Sequence, residues 1–227
     1  MNKINAYLKK NSARIIMSVV GVIILGISVG FFKAAAFGVD PFQTLMSGFD
    51  ALIPMGYGTL YVVFNALLLI FTLVFDRHKA GLATILNLLF LGYIIEFCLN
   101  LLLGLFPDPS VVLRAFYLLT AVVLNCGASA MYYVADLGVS TYDAIALILS
   151  EKKHVLPFRF MRIVTDFVCV LIGTVIYYFC GHTLLECTEI AGIGTIISMF
   201  CTGPLIELFK THMAQPMYES LCRKLKN

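Results

Sequence analysis

The chain has 227 residues, of which 60% are hydrophobic and only 13% charged. Soluble domains run to roughly a quarter charged, so this composition excludes an ordinary water-soluble enzyme or binding domain and points to a membrane protein. The net charge of +3 is not a nucleic-acid signature, because in so apolar a chain what matters is where the basic residues sit.

Six apolar segments follow one another at about 14–37, 57–75, 80–105, 111–135, 158–180 and 188–210. At about 1.5 Å per residue each reaches across a hydrocarbon core of roughly 30 Å. Backbone groups in lipid must be satisfied within the segment, so helices are expected. Lys9, Lys10 and Arg14 precede the first segment, and Ala34-Ala35-Ala36 imitates a cleavage site. The apolar run exceeds the roughly 7–15 residues of a signal-peptide core, so a retained helix is expected. After that helix, Gly38 reads as its stop. Asp40, Pro41 and Gln43 then read as N-cap, N1 and N3 of a new helix over about 41–52, joined in a capping box. After the fourth segment, Gly138, Ser140, Thr141 and Asp143 repeat this stop, turn and start for a helix over about 141–151. Both helices are too short to span, so they are expected as interfacial or re-entrant elements. Beyond this capping role, a helix N-terminus aimed into a cavity attracts an anionic group. Met217, Leu221, Leu225 and three basic residues mark 211–227 as an amphipathic tail on the inner leaflet.

Of the 16 Lys and Arg residues, all but Lys33 and Arg114 fall on the side of the termini, which are therefore expected to be cytoplasmic. The chain also repeats itself. Gly38-Val39-Asp40-Pro41-Phe42-Gln43 recurs as Gly138-Val139-Ser140-Thr141-Tyr142-Asp143, offset by 100. Ala80-Gly81-Leu82-Ala83-Thr84-Ile85 recurs as Ala191-Gly192-Ile193-Gly194-Thr195-Ile196, offset by 111. At that same offset Gly92 to Phe97 recurs as Gly203 to Leu208, keeping the glycine and the acid. The expected fold is an all-α membrane protein. Its six transmembrane helices form two inverted three-helix repeats, about 14–105 and 111–210, within one membrane domain over 1–227. Many secondary transporters are built this way around a site near the midplane.

These motifs, with the run from Gly192 to Phe209 as the most specific part, look like the bacterial YczE/YyaS/YitT-type integral membrane proteins, nearest the YczE branch. The resemblance covers about residues 14 to 210. It implies a multi-pass plasma-membrane protein of bacteria, sometimes linked to control of antibiotic production, and names neither a substrate nor a mechanism.

Several buried polar residues are candidates for chemistry. Asp166, Glu96 and Glu207 are intramembrane acids, costly unless they face the protein interior or water, and are read as candidates for ion or proton coupling. Arg162 stands at i−4 to Asp166, so a local ion pair is the structural alternative. A substrate site is expected among Asp40, Pro41, Gln43, Asn65, Asn87, Ser140, Thr141, Asp143, Asp166, Thr195 and Ser198. Inter-helix hydrogen bonding is the plainer reading of the neutral ones. Gly21, Gly26 and Gly30 read as a packing stripe. Gly192, Gly194 and Gly203-Pro204 are expected to loosen or break the sixth helix beside a cavity. The seven cysteines read as small packing residues, with a Cys180–Cys187 bridge as the alternative. His182, Cys180, Cys187 and Glu186 fit no zinc spacing, so neither metal nor cofactor is expected. No nucleophile–base motif is visible, so an enzyme is not expected. The leading reading is a transporter of a small molecule or ion working by alternating access. A regulatory scaffold and the substrate-binding subunit of a larger importer are the alternatives. The expected partners are the lipid bilayer and a small solute or ion, with no nucleic acid, and a homodimer is as plausible as a monomer.

Overall fold

The computed structural model describes residues 2–55 and 57–225, without the side chains of residues 2–10, 57 and 58. Lys3, Lys9, Lys10 and Lys226 of the charge pattern therefore lie outside the described side chains. All regular structure among the described residues is helical. The order is α1 (Asn2–Ala35), α2 (Pro41–Leu52), α3 (Tyr57–Phe75), α4 (Leu82–Leu105), α5 (Val111–Ala135), α6 (Thr141–Leu147), α7 (Phe158–Phe179), α8 (Leu184–Ile190), α9 (Ile193–Phe209) and α10 (Gln215–Lys224). Among the described residues five stretches are long and apolar enough to cross a membrane: 11–35, 82–105, 111–135, 158–179 and the run 184–224 that contains α8 to α10. The second predicted segment forms α3, a shorter apolar helix of 17 residues from Thr59. Outward faces carry bare Val62, Phe97, Phe116 and Phe179, as a membrane location allows.

The packing is reciprocal between the two sequence halves. Helix α1 lies along α5 and also packs on α4, as α5 packs on α9; α2 packs on α7, as α6 packs on α3. The Gly stripe on α1 makes these contacts close. A Cβ on Gly21 would stand 3.1 Å from the Ala128 carbonyl oxygen, and one on Gly30 2.7 Å from Cys98 Cβ. Helices α2 and α7 cross at Gly48 and Gly173, where a Cβ on Gly48 would meet the Gly173 carbonyl oxygen at 2.3 Å.

The repeated loops hold the halves together. Gly194 N–H donates to the Phe37 carbonyl at 2.7 Å, and Val39 N–H to Ile190 at 3.3 Å. At the related positions Ala83 N–H donates to the Leu137 carbonyl at 3.0 Å, and Val139 N–H to Lys79 at 2.9 Å. The Thr195 hydroxyl donates to the Val39 carbonyl and the Thr84 hydroxyl to the Val139 carbonyl, each at 2.6 Å. Each half's loop is thus strapped to the start of the other half's last long helix.

Several details differ from the sequence reading. The left-handed residues that end α1 and α5 are Ala36 (φ 50°) and Asp136 (φ 54°), not the glycines. Gly38 and Gly138 also hold positive φ, and a Cβ there would strike the backbone nitrogens of Gly192 and Gly81 at 2.5 and 2.4 Å. These glycines are required by the close approach of the strap. Gly81 and Gly192 are N-caps of α4 and α9, so the repeated Ala-Gly motif starts a helix and does not interrupt one. Helix α9 runs through Gly203-Pro204 unbroken, with Pro204 on its exposed face. The short helices are packed within the protein: six of the seven residues of α6 are buried, and α2 buries Phe42, Thr44 and Met46. The tail turns its apolar face inward, packing Met217, Tyr218 and Leu221 against Met17, Ala130 and Met131. All seven cysteines are free thiols, so Cys180 and Cys187 are not bridged.

The strap predicts an uneven response to alanine. Gly38→Ala and Gly138→Ala should each lose at least the ~1–2 kcal/mol of a left-handed backbone, with the backbone clash in addition. Gly92→Ala and Gly104→Ala, where a Cβ meets nothing within 4 Å, should stay within about 1 kcal/mol of the parent. A thiol-reactive dye that reports exposure of the buried cysteines during heating measures both.

Candidate functional site

The centre of the protein holds three charges in contact. Ser140 caps α6 by accepting the Asp143 N–H at 3.1 Å, which sets Asp143 on the first turn. The Asp143 carboxylate does not close a capping box. It accepts from Arg162 Nη1 through Oδ1 and from the Tyr132 hydroxyl through Oδ2. Arg162 Nε lies 3.3 Å from Asp166 Oδ1, the pair anticipated one turn apart on α7. That contact is ionic and lacks hydrogen-bond geometry, which leaves Nε without a hydrogen-bonding partner. Asp166 accepts from the Tyr142 hydroxyl at 2.5 Å through Oδ1 and from the Thr202 hydroxyl at 3.3 Å through Oδ2. Exposures of 0% for Asp166, 4% for Asp143 and 9% for Arg162 put all three away from solvent.

Aromatic rings wall the cluster. The Arg162 guanidinium sits over the Tyr142 ring at 4.5 Å, and Phe42 of α2 stacks on the other side of that ring network at 5.0 Å. Tyr132 and Tyr133 meet edge to face at 5.0 Å. The Tyr133 hydroxyl is buried and lies in the field of Asp143 without a hydrogen bond. Low-dielectric walls strengthen every charge interaction inside them.

The other predicted residues divide. Thr141 donates to Asn65 Oδ1 at 2.6 Å, and Asn65 Nδ2 to the Tyr61 carbonyl at 2.8 Å, which joins α6 to α3. Asp40 caps α2 by accepting the N–H groups of Phe42 (3.1 Å) and Gln43 (3.3 Å), with Pro41 buried at N1. Gln43 lines a cavity of ≈ 370 Å³ with Lys33, Ser47 and Glu189. Asp40 lies within electrostatic range of both Lys33 and Arg162. Thr195 belongs to the strap. Asn87 donates within its own helix to the Ala83 carbonyl at 3.0 Å and leaves its Oδ1 unpaired. Ser198 is buried one turn before Thr202 on α9. Glu96 and Glu207 stand on exposed faces and are not among the residues bonded within the cluster. No group of three His, Cys, Asp or Glu among the described residues is placed to hold a metal.

The sequence does not single out Tyr132, Tyr142, Ser129 and Thr202 as partners; Arg162 is expected only as the i−4 partner of Asp166, not as the partner of Asp143. Tyr142 could have been found, since it lies inside the repeated motif where the first half has Phe42. Arg162 carried a weaker signal: it is one turn before an intramembrane acid.

Comparison with known proteins adds a family. The model for a family of unknown function, DUF6198, matches residues 12–211, so the chain belongs to that family. No curated protein matches it. No solved structure matches it either.

The cluster's cohesion is testable by removing one charge and then all three. Arg162→Met should cost about 3–5 kcal/mol, because it leaves two carboxylates buried without their cation. Arg162→Met combined with Asp143→Asn and Asp166→Asn should recover most of that loss, since nothing charged is left in the core. Thermal unfolding of the purified proteins compares the two.

Proposed function

We propose that this DUF6198 chain is a transporter of a small molecule or ion in the bacterial plasma membrane. It works by alternating access, with six crossings arranged as two inverted three-helix repeats and both termini in the cytoplasm. The resemblance to YczE/YyaS/YitT-type membrane proteins forms part of this proposal.

The observation that carries it is the buried cluster of Arg162, Asp143 and Asp166. A structural core gains little from such a group, because an apolar replacement of similar volume is often as stable or more so. Charges at membrane depth are retained where something polar must bind or pass. The reciprocal straps support the repeat. Phe37, Val39, Ile190, Gly194 and Thr195 make the same set of bonds as Leu137, Val139, Lys79, Ala83 and Thr84. In an inverted repeat the substrate site lies where the halves meet. Here the cluster is built from α5, α6, α7 and α9, with Phe42 of the first half lying against it. The asymmetry of Asp166 against Asn65 gives one half the charge and the other a neutral hydrogen-bonding group. Rocking of the halves would move Phe42 of the first half relative to Tyr142 and the cluster behind it, and open the site to one side at a time.

The test has two parts. A thermal-shift screen of the purified protein against metabolites and ions finds a ligand, since binding to the native state raises its stability. Flux of that ligand into proteoliposomes should then fall by roughly tenfold or more in Asp166→Asn, a loss of more than ~1.4 kcal/mol of barrier lowering. Asp40→Asn keeps the cap, because Asn caps about as well as Asp, and reports whether its charge matters. Unchanged flux in Asp166→Asn overturns the site. A stable protein partner on pull-down with no flux of any solute would favour the scaffold, and flux only with an energising complex would favour the importer subunit.

A further inference from the structure

The cluster does not balance in charge. Arg162 supplies one positive charge in direct contact with two carboxylates, Asp143 and Asp166. An uncompensated negative charge in a dry core is expensive. Every carboxylate oxygen already has a donor. Arg162 and Tyr132 serve Asp143, and Tyr142 and Thr202 serve Asp166. A hydrated or metal cation would have to displace these donors, whereas a proton needs no room.

We infer that Asp166 binds the proton which neutralises this cluster, and that this proton is the ion the transporter is coupled to. The coupling role rests on the transport reading, while the protonation is a property of the buried cluster alone. Geometry selects Asp166 over Asp143. Asp143 has the direct Arg162 Nη1 hydrogen bond and the Tyr132 hydroxyl, itself linked to Ser129 at 3.0 Å. Asp166 has only the side of the guanidinium, at 3.3 Å and out of hydrogen-bond geometry. Its two other partners, Tyr142 and Thr202, are hydroxyls that accept as readily as they donate, so they tolerate a protonated carboxyl.

The groups facing Asp166 come from every neighbouring element. Arg162 and Cys169 lie on its own helix, Tyr142 and Asp143 on α6, Thr202 on α9, Cys126 on α5 and Asp40 at the head of α2. On this account a proton is held while Arg162 stays shared between the two acids. It is released when α6 shifts against α7 and Arg162 turns wholly to Asp166. Glu96 and Glu207, exposed on the outside of the bundle, take no part.

Infrared spectra of the full chain in lipid nanodiscs, with aspartate carboxyls carbon-13 labelled and pH as the only variable, test this. The wild type should show one protonated-aspartate band at neutral pH that disappears on alkalinisation. Tyr142→Phe should displace the band, Tyr132→Phe should leave it in place, and Asp166→Asn should abolish it. If Asp166→Asn fails to fold, the two tyrosine variants decide. The inference is overturned if the folded wild type shows no such band at any pH. It is equally overturned if the band moves with Tyr132→Phe and not with Tyr142→Phe, which puts the proton on Asp143. A band without flux of any solute upholds the proton site and removes the transport reading; flux without a band does the reverse.

Discussion

One guanidinium shared between two carboxylates, far from water, is the constraint around which the rest of the structure is arranged. Arg162 reaches Asp143 only because Ser140 starts α6 where it does, and it reaches Asp166 because the two lie one turn apart on α7. Tyr132 and Thr202 arrive from α5 and α9, and Tyr142 from α6 itself, with hydroxyls that the carboxylates can use. If any of these elements shifted by a turn, a charge would be left buried without its partner, a loss larger than most single packing defects.

The straps explain how so polar a centre is held in so apolar a chain. Each loop that follows α1 or α5 gives up its carbonyls to the start of a helix from the other half. Without them, the loop carbonyls and the first N–H groups of α4 and α9 would both be orphaned in a dry environment. The glycines at 38, 81, 138 and 192 are the cost of that closeness, because a side chain at any of them would overlap the opposing backbone. The two halves are therefore tied at reciprocal points, while the charged cluster lies within the second.

Much of this was legible in the sequence because it rests on local rules. Helix lengths follow from apolar runs, and the starts at Asp40 and Ser140 follow from capping chemistry. The straps were visible only as repeated letters. Gly38-Val39 and Ala191-Gly192 recur in both halves, but no periodicity says that one motif touches the other half's copy of the second. The break within the sixth helix was placed at Gly203-Pro204 because proline is a local disruptor. Gly192 instead caps the start of α9, where a long-range strap arrives. Asp143 was read as a cap from its position at N3, and its tertiary role beside Arg162 could not be seen from spacing across 19 residues. Glu96 and Glu207 looked alike to Asp166 as intramembrane acids, and only packing separates the buried acid from the exposed pair.

The central claim is that the Arg162 cluster is a site reached from each side of the membrane in turn. Thr202→Cys, in a chain whose native cysteines have been replaced, places a thiol beside the Asp166 carboxylate. Membrane-impermeant maleimides applied to right-side-out and to inside-out vesicles measure its accessibility. The account predicts slow labelling from both sides, with a change in the ratio when the transported ligand is added. Protection from both sides under all conditions, or labelling from one side alone whatever the ligand, would contradict it.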